Sequence, residues 1–432
     1  MTSQESSQSQ FRAQHAEILY GQGDRLAPLR AALEALGHPD QAMPIIHIAG
    51  TNGKGSTAHM LSHLLQGHGF KLGLFTSPHL YTERESIQIN GRMIAESAFS
   101  SLLERVNSQV AEDFSQFELV FLMAMTYFAE QGCDYVVLEC GLGGELDATN
   151  AIAHSDYAVF TKIARDHTAM LGNTLSEIAK TKSGIMRPHQ KVVVGPEQDS
   201  EVVDQLKHQQ EDQADSQWFY QDRSQVTWQA HSENYCLRLL NGQEVTVDLA
   251  LRGSFQCENL STAMLCYQAW LADHDLVFDS DLVNRALSGW QLPGRFDCLS
   301  KDPPIILDAA HNPAAMGELR ATLQARFPNQ CLTIVCAFLK DKAVNDLVAC
   351  LSHLEADFIV TEADFPSRRL PATDLAEVFS DYGINVAIQV DAHRAFEQAK
   401  QHSQSTNPKQ PVIVLGSFHL IKTIGASYYD QA

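Results

Sequence analysis

Seven consecutive residues, Gly50-Thr51-Asn52-Gly53-Lys54-Gly55-Ser56, carry the most chemistry in this sequence. Glycines let backbone N–H groups approach an anion, and a helix that starts there adds its partial positive end. Lys54 has the reach to meet terminal phosphates, and the Ser56 hydroxyl can bond a phosphate or stand near magnesium. The spacing departs from the usual phosphate loop. Ile48 stands five residues before Gly53, where glycine is usual, and Gly55 separates Lys54 from the hydroxyl residue.

Other residues could hold a cation or a ligand. Glu139 closes the apolar run Tyr135-Val136-Val137-Leu138, where a carboxylate serves little unless it is paired or cation-bound. Magnesium takes its oxygens from one or two carboxylates and from substrate phosphates. Ser77 and the pair Asp166-His167 follow two further apolar runs, although histidine is an unusual magnesium ligand. Each alone reads as a satisfied polar residue at a strand end; three strand ends beside a phosphate loop favour the metal. Spacing alone makes Lys182 a solvated lysine just after a helical stretch. Asp308, in Asp308-Ala309-Ala310-His311-Asn312-Pro313, could hold a ribose hydroxyl or a metal-bound water, and Asn312-Pro313 is a helix start. Arg295 could clamp a phosphate through its planar fork or be an ordinary surface arginine. Gly416-Ser417-Phe418-His419 ends the last apolar run, and Arg368-Arg369 is an adjacent basic pair able to hold a carboxylate. No G-x-S-x-G nucleophile motif and no zinc spacing occurs.

The elements that must position these groups are short apolar runs alternating with helical stretches. Leu26, Leu29, Leu33 and Leu36 mark a helix before Gly37 and Pro39. Ile45–Ala49, Lys71–Phe75, Tyr135–Glu139 and Tyr157–Phe160 predict fully buried strands, hence a parallel sheet covered on both faces, with its sites beyond the strand C-termini. Residues 197–250 are rich in Gln, Asp and Ser and then alternate around Asn241-Gly242, a hairpin turn signal. They predict an antiparallel appendage to the first domain. After a linker at Leu292-Pro293-Gly294 the alternation restarts with Ile305–Leu307, Leu332–Val335, Phe358–Val360, Val386–Ile388 and Val412–Leu415. The expectation is an α/β chain: a P-loop parallel-sheet ATPase domain over 1–291, then a smaller Rossmann-like domain over 297–432.

Composition excludes other classes. With 31 Lys and Arg against 52 Asp and Glu, the formal charge of −21 disfavours nucleic acid and anionic membranes as partners. The longest apolar run, Leu119–Ala129, is about half of what a bilayer requires. Nine scattered cysteines without a C-x-x-C pair fit free thiols in a reducing cytoplasm. The Ser/Gln-rich start lacks a signal-peptide pattern and reads as disordered over about residues 1–10.

Taken together, these stretches resemble the Mur ligase superfamily, and most closely its folate branch of folylpolyglutamate and dihydrofolate synthases. The resemblance rests on His47–Ser56, Thr76–Leu80, Leu138–Gly144, Leu146–Asn150, Asp166–Thr168, Lys182–Ile185, Pro293–Phe296, Ala310–Pro313 and Gly416–His419, in the family's order. It implies an ATP- and Mg2+-dependent amide ligase joining L-glutamate to dihydropteroate or reduced folate through an acyl phosphate, cytoplasmic and monomeric. By the same resemblance Gly50, Thr51, Asn52, Gly53, Lys54, Gly55 and Ser56 hold phosphates, and Ser77, Glu139 and His167 bind magnesium. Asn259, Arg295 and Asp308 contact ATP, and Phe117, Glu118, Leu146, Asp147, Ala148, His311 and Ser417 contact the other substrates. Lys54, His167 and Lys182 are the implied catalytic residues, with Lys182 carbamylated, which reverses its bland reading. Departures from the family pattern are Glu145, where the family has arginine, Thr181 and Ser183 around Lys182, and the missing Asp-Leu-Gly between Leu19 and Leu29.

One alternative stays open on the residues, and a second is disfavoured by them. A Mur-type ligase acting on another carboxylate, such as a peptidoglycan precursor, is kept by Glu145 and opposed by Pro293-Gly294-Arg295 and His311-Asn312-Pro313. A guanine-nucleotide switch needs Asn/Thr-Lys-x-Asp, and Thr161-Lys162-Ile163-Ala164 lacks the aspartate.

Overall fold

The computed structural model describes residues 24–110, 113–229, 234–239 and 242–429. The Ser/Gln-rich start, residues 19–23 and Asn241 of the expected hairpin turn lie outside the described residues. The chain divides into two compact units, 1–226 with 238–241 and 258–287, and 227–237 with 242–257 and 288–432.

The first unit is built on an eight-stranded sheet: β1 (Ile45–Ala49), β2 (Leu72–Phe75), β3 (Ile87–Ile89), β4 (Arg92–Met93), β5 (Tyr135–Glu139), β6 (Tyr157–Phe160), β7 (Lys191–Val194) and β8 (Gln217–Tyr220), in the order β4-β3-β2-β5-β1-β6-β7-β8. From β2 to β8 all pairs are parallel, whereas β3 and β4 close one edge as an antiparallel hairpin. β1, β2 and β6 are buried along their whole length, which requires helices on both faces. On one face Ile45, Phe75, Val136 and Leu138 pack with helices Leu26–Ala35, Glu96–Gln109 and Gln116–Glu130. On the other, Phe160, Val192 and Val194 pack with Leu175–Ser183 and Ser200–Glu211. The apolar run Leu119–Ala129 lies within the helix Gln116–Glu130, and no described helix is long and apolar enough to cross a membrane.

Sequence reading makes 197–250 an appendage of the first domain, but 227–237 and 242–257 group with the second unit. Their strands β9 (Val226–Gln229), β10 (Asn234–Arg238) and β11 (Glu244–Val247) form a three-stranded sheet in the order β11-β10-β9. The reason is local. Phe255 packs on the second unit's core, and Ser254 hydrogen-bonds Thr322 Oγ1 through its N–H at 3.1 Å and its hydroxyl at 2.8 Å.

The second unit holds a six-stranded sheet of β12 (Asp297–Lys301), β13 (Pro304–Asp308), β14 (Leu332–Cys336), β15 (Ala356–Val360), β16 (Val386–Ile388) and β17 (Val412–Leu415), in the order β12-β13-β17-β14-β15-β16. Only β12, which the sequence reading does not foresee, runs antiparallel to its neighbour. β13, β14 and β17 are almost wholly buried, so this sheet too reads as apolar runs rather than as alternation.

Candidate active site

The loop after β1 is held open by its glycines and by the strand end beside it. Gly53 has φ +85° and caps the helix Lys54–Gly67 without a side-chain bond. A Cβ there would sit 1.9 Å from the Asn259 amide oxygen. Thr51 and Asn52 donate their N–H groups to the Lys162 carbonyl at 2.8 and 3.2 Å, and Thr51 Oγ1 both donates to the Ala164 carbonyl and accepts from its N–H. The loop is thus clamped to the segment after β6. The helix keeps its first-turn N–H groups for an external acceptor, as a helix N-terminus without a side-chain cap does. Ser56 and Asn259 are buried, and Lys54 is half-buried.

Glu139, at the end of the central strand β5, is buried. Its Oε2 accepts the Ser77 N–H at 3.0 Å. A Cβ on Gly55 would stand 3.4 and 3.8 Å from the two carboxylate oxygens. Ser77, Glu139 and the first turn of the phosphate-loop helix therefore converge. A carboxylate beside an uncapped helix start is a hard oxygen donor, which suits magnesium. No group of three or more His, Cys, Asp or Glu is gathered for a metal among the described residues. His167 has φ +49° and caps the short helix Thr168–Leu171, with Nε2 3.8 Å from Asp166 Oδ2.

Lys182 lies inside the last turn of the helix Leu175–Ser183, not beyond it. It is 2% exposed, and its Nζ donates to the Gly50 carbonyl at 2.8 Å. Burial, and then the nearby Lys54 charge, push its pKa down to about 7. The solvated-lysine reading is therefore wrong. The loop Gly141–Asn150 rests on that helix. The Glu145 N–H donates to Thr181 O at 2.8 Å, and a Cβ on Gly144 would lie 2.5 Å from the Lys182 carbonyl oxygen.

The expected pteroate contacts divide into groups turned outward and groups turned inward. Leu146 is 46% exposed. The Phe117 ring lies over Gly141, where a Cβ would come within 2.6 Å of it, and 5.7 Å from the Phe75 ring. Asp147 and Glu118 face their own scaffolds. Asp147 accepts from Leu142 N at 2.7 Å, Thr149 N at 3.0 Å and Thr149 Oγ1 at 2.5 Å. Glu118 closes the capping box of its helix and is bound by both Nε and Nη2 of Arg25.

In the second unit, Asp308 and Leu415 are register partners at the C-terminal ends of adjacent strands. Asp308 accepts the N–H groups of Phe296 and Ala310, each at 2.8 Å, and burial raises its pKa to about 6. The Arg295 guanidinium stacks 4.6 Å from the Phe418 ring centre, and the His311 ring lies 5.8 Å from the same ring. Ser417 is buried, with its Oγ accepting the His419 N–H at 3.1 Å. Arg295, Asp308, His311 and Ser417 are therefore gathered at one strand-end edge. Arg368 and Arg369 are paired with Asp341 and Glu362. Sequence reasoning missed Phe418 as the platform under Arg295, although it stands in the run Gly416–His419. It also missed the buried pair His47 and Thr149, for which periodicity offers no signal.

The Mur ligase middle domain matches residues 48–267, and the Mur ligase glutamate ligase domain matches 294–418. A dihydrofolate synthetase of Saccharomyces cerevisiae is 32% identical over 418 residues, covering 91% of this chain and 95% of the relative. A probable bifunctional folylpolyglutamate synthase/dihydropteroate synthase of Haloferax volcanii is 31% identical over 91% of this chain, which spans only 47% of that longer protein. Among solved structures, Mycobacterium tuberculosis folylpolyglutamate synthase complexed with ADP and AMPPCP superposes with a TM-score of 0.87 at 27% identity, over 99% of each chain. Escherichia coli FolC in complex with DHPP and ADP gives 0.82 at 28% identity, over 99% of this chain and 98% of that one. A bifunctional folylpolyglutamate synthase/dihydrofolate synthase with Mn, AMPPNP and L-glutamate bound gives 0.82 at 27% identity, over 99% and 98%. The chain belongs to the Mur ligase superfamily, in its dihydrofolate synthase/folylpolyglutamate synthase branch of ATP-dependent ligases.

Proposed function

We propose that this chain joins L-glutamate to the benzoate carboxylate of dihydropteroate and to the glutamyl tails of reduced folates, at the expense of ATP. A substrate carboxylate oxygen attacks the γ-phosphorus of ATP, ADP leaves, and an acyl phosphate forms. The amine of glutamate then attacks the acyl carbon, the tetrahedral adduct expels phosphate, and the amine loses its proton. Such chemistry needs positioning and charge neutralisation rather than a covalent nucleophile.

The observation that carries this reading is the convergence of the uncapped helix at Lys54, the Glu139 carboxylate with Ser77 N–H at 3.0 Å, and the buried Lys182 bonded to Gly50 O at 2.8 Å. In this reading the N–H groups of Gly53–Ser56 and the Lys54 ammonium bind phosphate oxygens. Glu139, Ser77 and His167 hold magnesium, which neutralises phosphate charge when bound. Lys182, as a carbamate, supplies the negative group that a lysine lacks. Its Nζ, with a pKa near 7, has the free amine that carbamylation requires. Asn259, Arg295 and Asp308 contact the nucleotide, while Phe117, Leu146, Ala148, His311 and Ser417 face the substrates; Glu118 and Asp147 shape the pteroate site from behind. We assign ATP binding to 1–291 and glutamate ligation to 297–432, in a cytoplasmic monomer. Its cysteines form no disulfide among the described residues.

Glutamate-dependent phosphate release with dihydropteroate, and separately with tetrahydrofolate, tests the proposal. Release with both is expected, and release with neither overturns it.

A further inference from the structure

His47 is a polar side chain in the middle of β1, fully buried. Its Nε2 stands 2.8 Å from Thr149 Oγ1 and 3.1 Å from Cys140 Sγ. The Thr149 hydroxyl proton is committed, because Oγ1 lies 2.5 Å from Asp147 Oδ1, a carboxylate that can only accept. Thr149 must therefore accept from His47, which places the imidazole proton on Nε2. That leaves Nδ1 as a bare acceptor, and Nδ1 is buried without a hydrogen-bond partner. A buried polar atom left unpaired costs roughly 1–3 kcal/mol, and an apolar side chain in this strand would avoid that cost. The histidine is thus a poor choice for packing alone, and the shorter of its two bonds is the one to Thr149.

The relay continues from there. Asp147, held by Thr149, accepts the N–H groups of Leu142 and Thr149, so one carboxylate ties the start of the loop to its end. Between those ties stand Leu146, 46% exposed, and the backbone of Ala148.

We propose that His47 is a positioning residue of the pteroate site: through the chain His47 Nε2–H, Thr149 Oγ1–H and Asp147 carboxylate, it sets the Leu146–Ala148 turn at the height at which it meets the pterin. The inference rests on the reading of that turn as part of the pteroate site. Burial and the Arg187 charge hold the imidazole neutral, so the relay works as a fixed set of hydrogen bonds.

The test is steady-state kinetics of six variants of the full chain with ATP, glutamate and dihydropteroate each varied. His47→Leu removes the donor. His47→Gln restores an N–H at the Nε2 position, and His47→Asn places one only at the Nδ1 position. The expected result is a rise of about tenfold or more in KM for dihydropteroate in His47→Leu and His47→Asn, with KM for ATP within twofold. His47→Gln should recover most of the loss. Thr149→Val and Thr149→Ser repeat the comparison without touching β1, and decide the matter if His47→Leu does not fold. Unchanged KM for dihydropteroate, an equal rise in KM for ATP, or no difference between the Gln and Asn variants overturns the inference. Leu146→Ser, on an exposed side chain, separates the two levels. If it leaves KM for dihydropteroate unchanged, the reading of the turn fails. If it raises that KM while the His47 and Thr149 variants do not, only the relay fails.

Discussion

The Lys182 side chain crosses from its helix to the phosphate loop and donates from Nζ to the Gly50 carbonyl at 2.8 Å, in a site where it is 2% exposed. A lysine so placed has its protonated form disfavoured by burial first and by Lys54 second, and its pKa falls from the ordinary 10.5 to about 7. The folded state therefore binds fewer protons than the unfolded state between these values, and stability rises with pH across that window, by up to about 1.4 kcal/mol per unit. In CO2-free buffer, urea unfolding from pH 7 to 10 should show this slope in the native sequence and lose it in Lys182→Met. An identical slope in both proteins refutes the buried amine. Bicarbonate should raise ligase activity, and a carbamate carbon signal from 13C-labelled bicarbonate should be absent in Lys182→Met.

At the phosphate loop the roles of side chain and backbone separate. Lys54→Ala removes a half-buried charge that no fold contact requires, so turnover should fall by at least about a hundredfold while the melting temperature stays within about 2 °C. Gly53→Ala acts differently. It places a Cβ at φ +85° and 1.9 Å from Asn259 Oδ1. ATP affinity and thermal stability should then drop together. Full activity in either variant argues against a phosphate site here.

Much of this is legible in the sequence. Ile45–Ala49, Tyr135–Glu139 and Tyr157–Phe160 are strands with the expected bounds, because a buried parallel strand writes itself as an unbroken apolar run. Asn312 caps the helix Pro313–Arg326 as the Asn-Pro pair signals. The rest depends on contacts distant in sequence. The family resemblance places Asp147 and Glu118 beside the pterin, and both turn inward because Leu142 N and Arg25 are there to meet them. Lys182 reads as a surface residue because nothing in its own helix reveals that Gly50, 132 positions earlier, caps its amine. Strand β12 and the grouping of 242–257 with the second unit escape for the same reason.

The loop that carries Leu146 is pressed against the Lys182 helix closely enough for one methyl group to be felt. On Gly144 it would meet the Lys182 carbonyl oxygen at 2.5 Å and Cα at 2.9 Å; on Gly184 it would meet Glu145 Cα and Cβ at 2.5 Å. These are backbone neighbours that cannot swing aside, so each Gly→Ala change should cost about 1–3 kcal/mol and lower kcat by moving Lys182. Gly317→Ala is the control, since its helix position has nothing within 4 Å. It should be neutral or stabilise by about 0.5–1 kcal/mol. Chemical denaturation of the three variants checks the contrast, and equal effects at all three positions would falsify the close approach.

Arg25 and Glu118 join two distant segments in the first unit. Glu118 accepts from Arg25 Nε at 2.9 Å and Nη2 at 3.0 Å, and from Ser115 N at 2.7 Å. Burial alone raises the pKa of this carboxyl, but the Arg25 and Ser115 bonds outweigh it and hold the value below the ordinary 4.5. Its stabilising contribution is therefore present above that value and is lost as pH falls through the lower folded pKa. Arg25→Met should destabilise by on the order of 3 kcal/mol, because it strands a buried carboxylate, and should flatten the acid limb of stability below pH 5. Arg25→Met with Glu118→Gln should recover part of that loss, since the amide can still accept from Ser115 N without a charge to desolvate. Because Phe117 precedes Glu118 on the same helical turn, the single variant should also weaken dihydropteroate more than ATP. Equal weakening of both would make Arg25 a general scaffold residue, and a double variant no more stable than the single one would remove the buried charge as the cause.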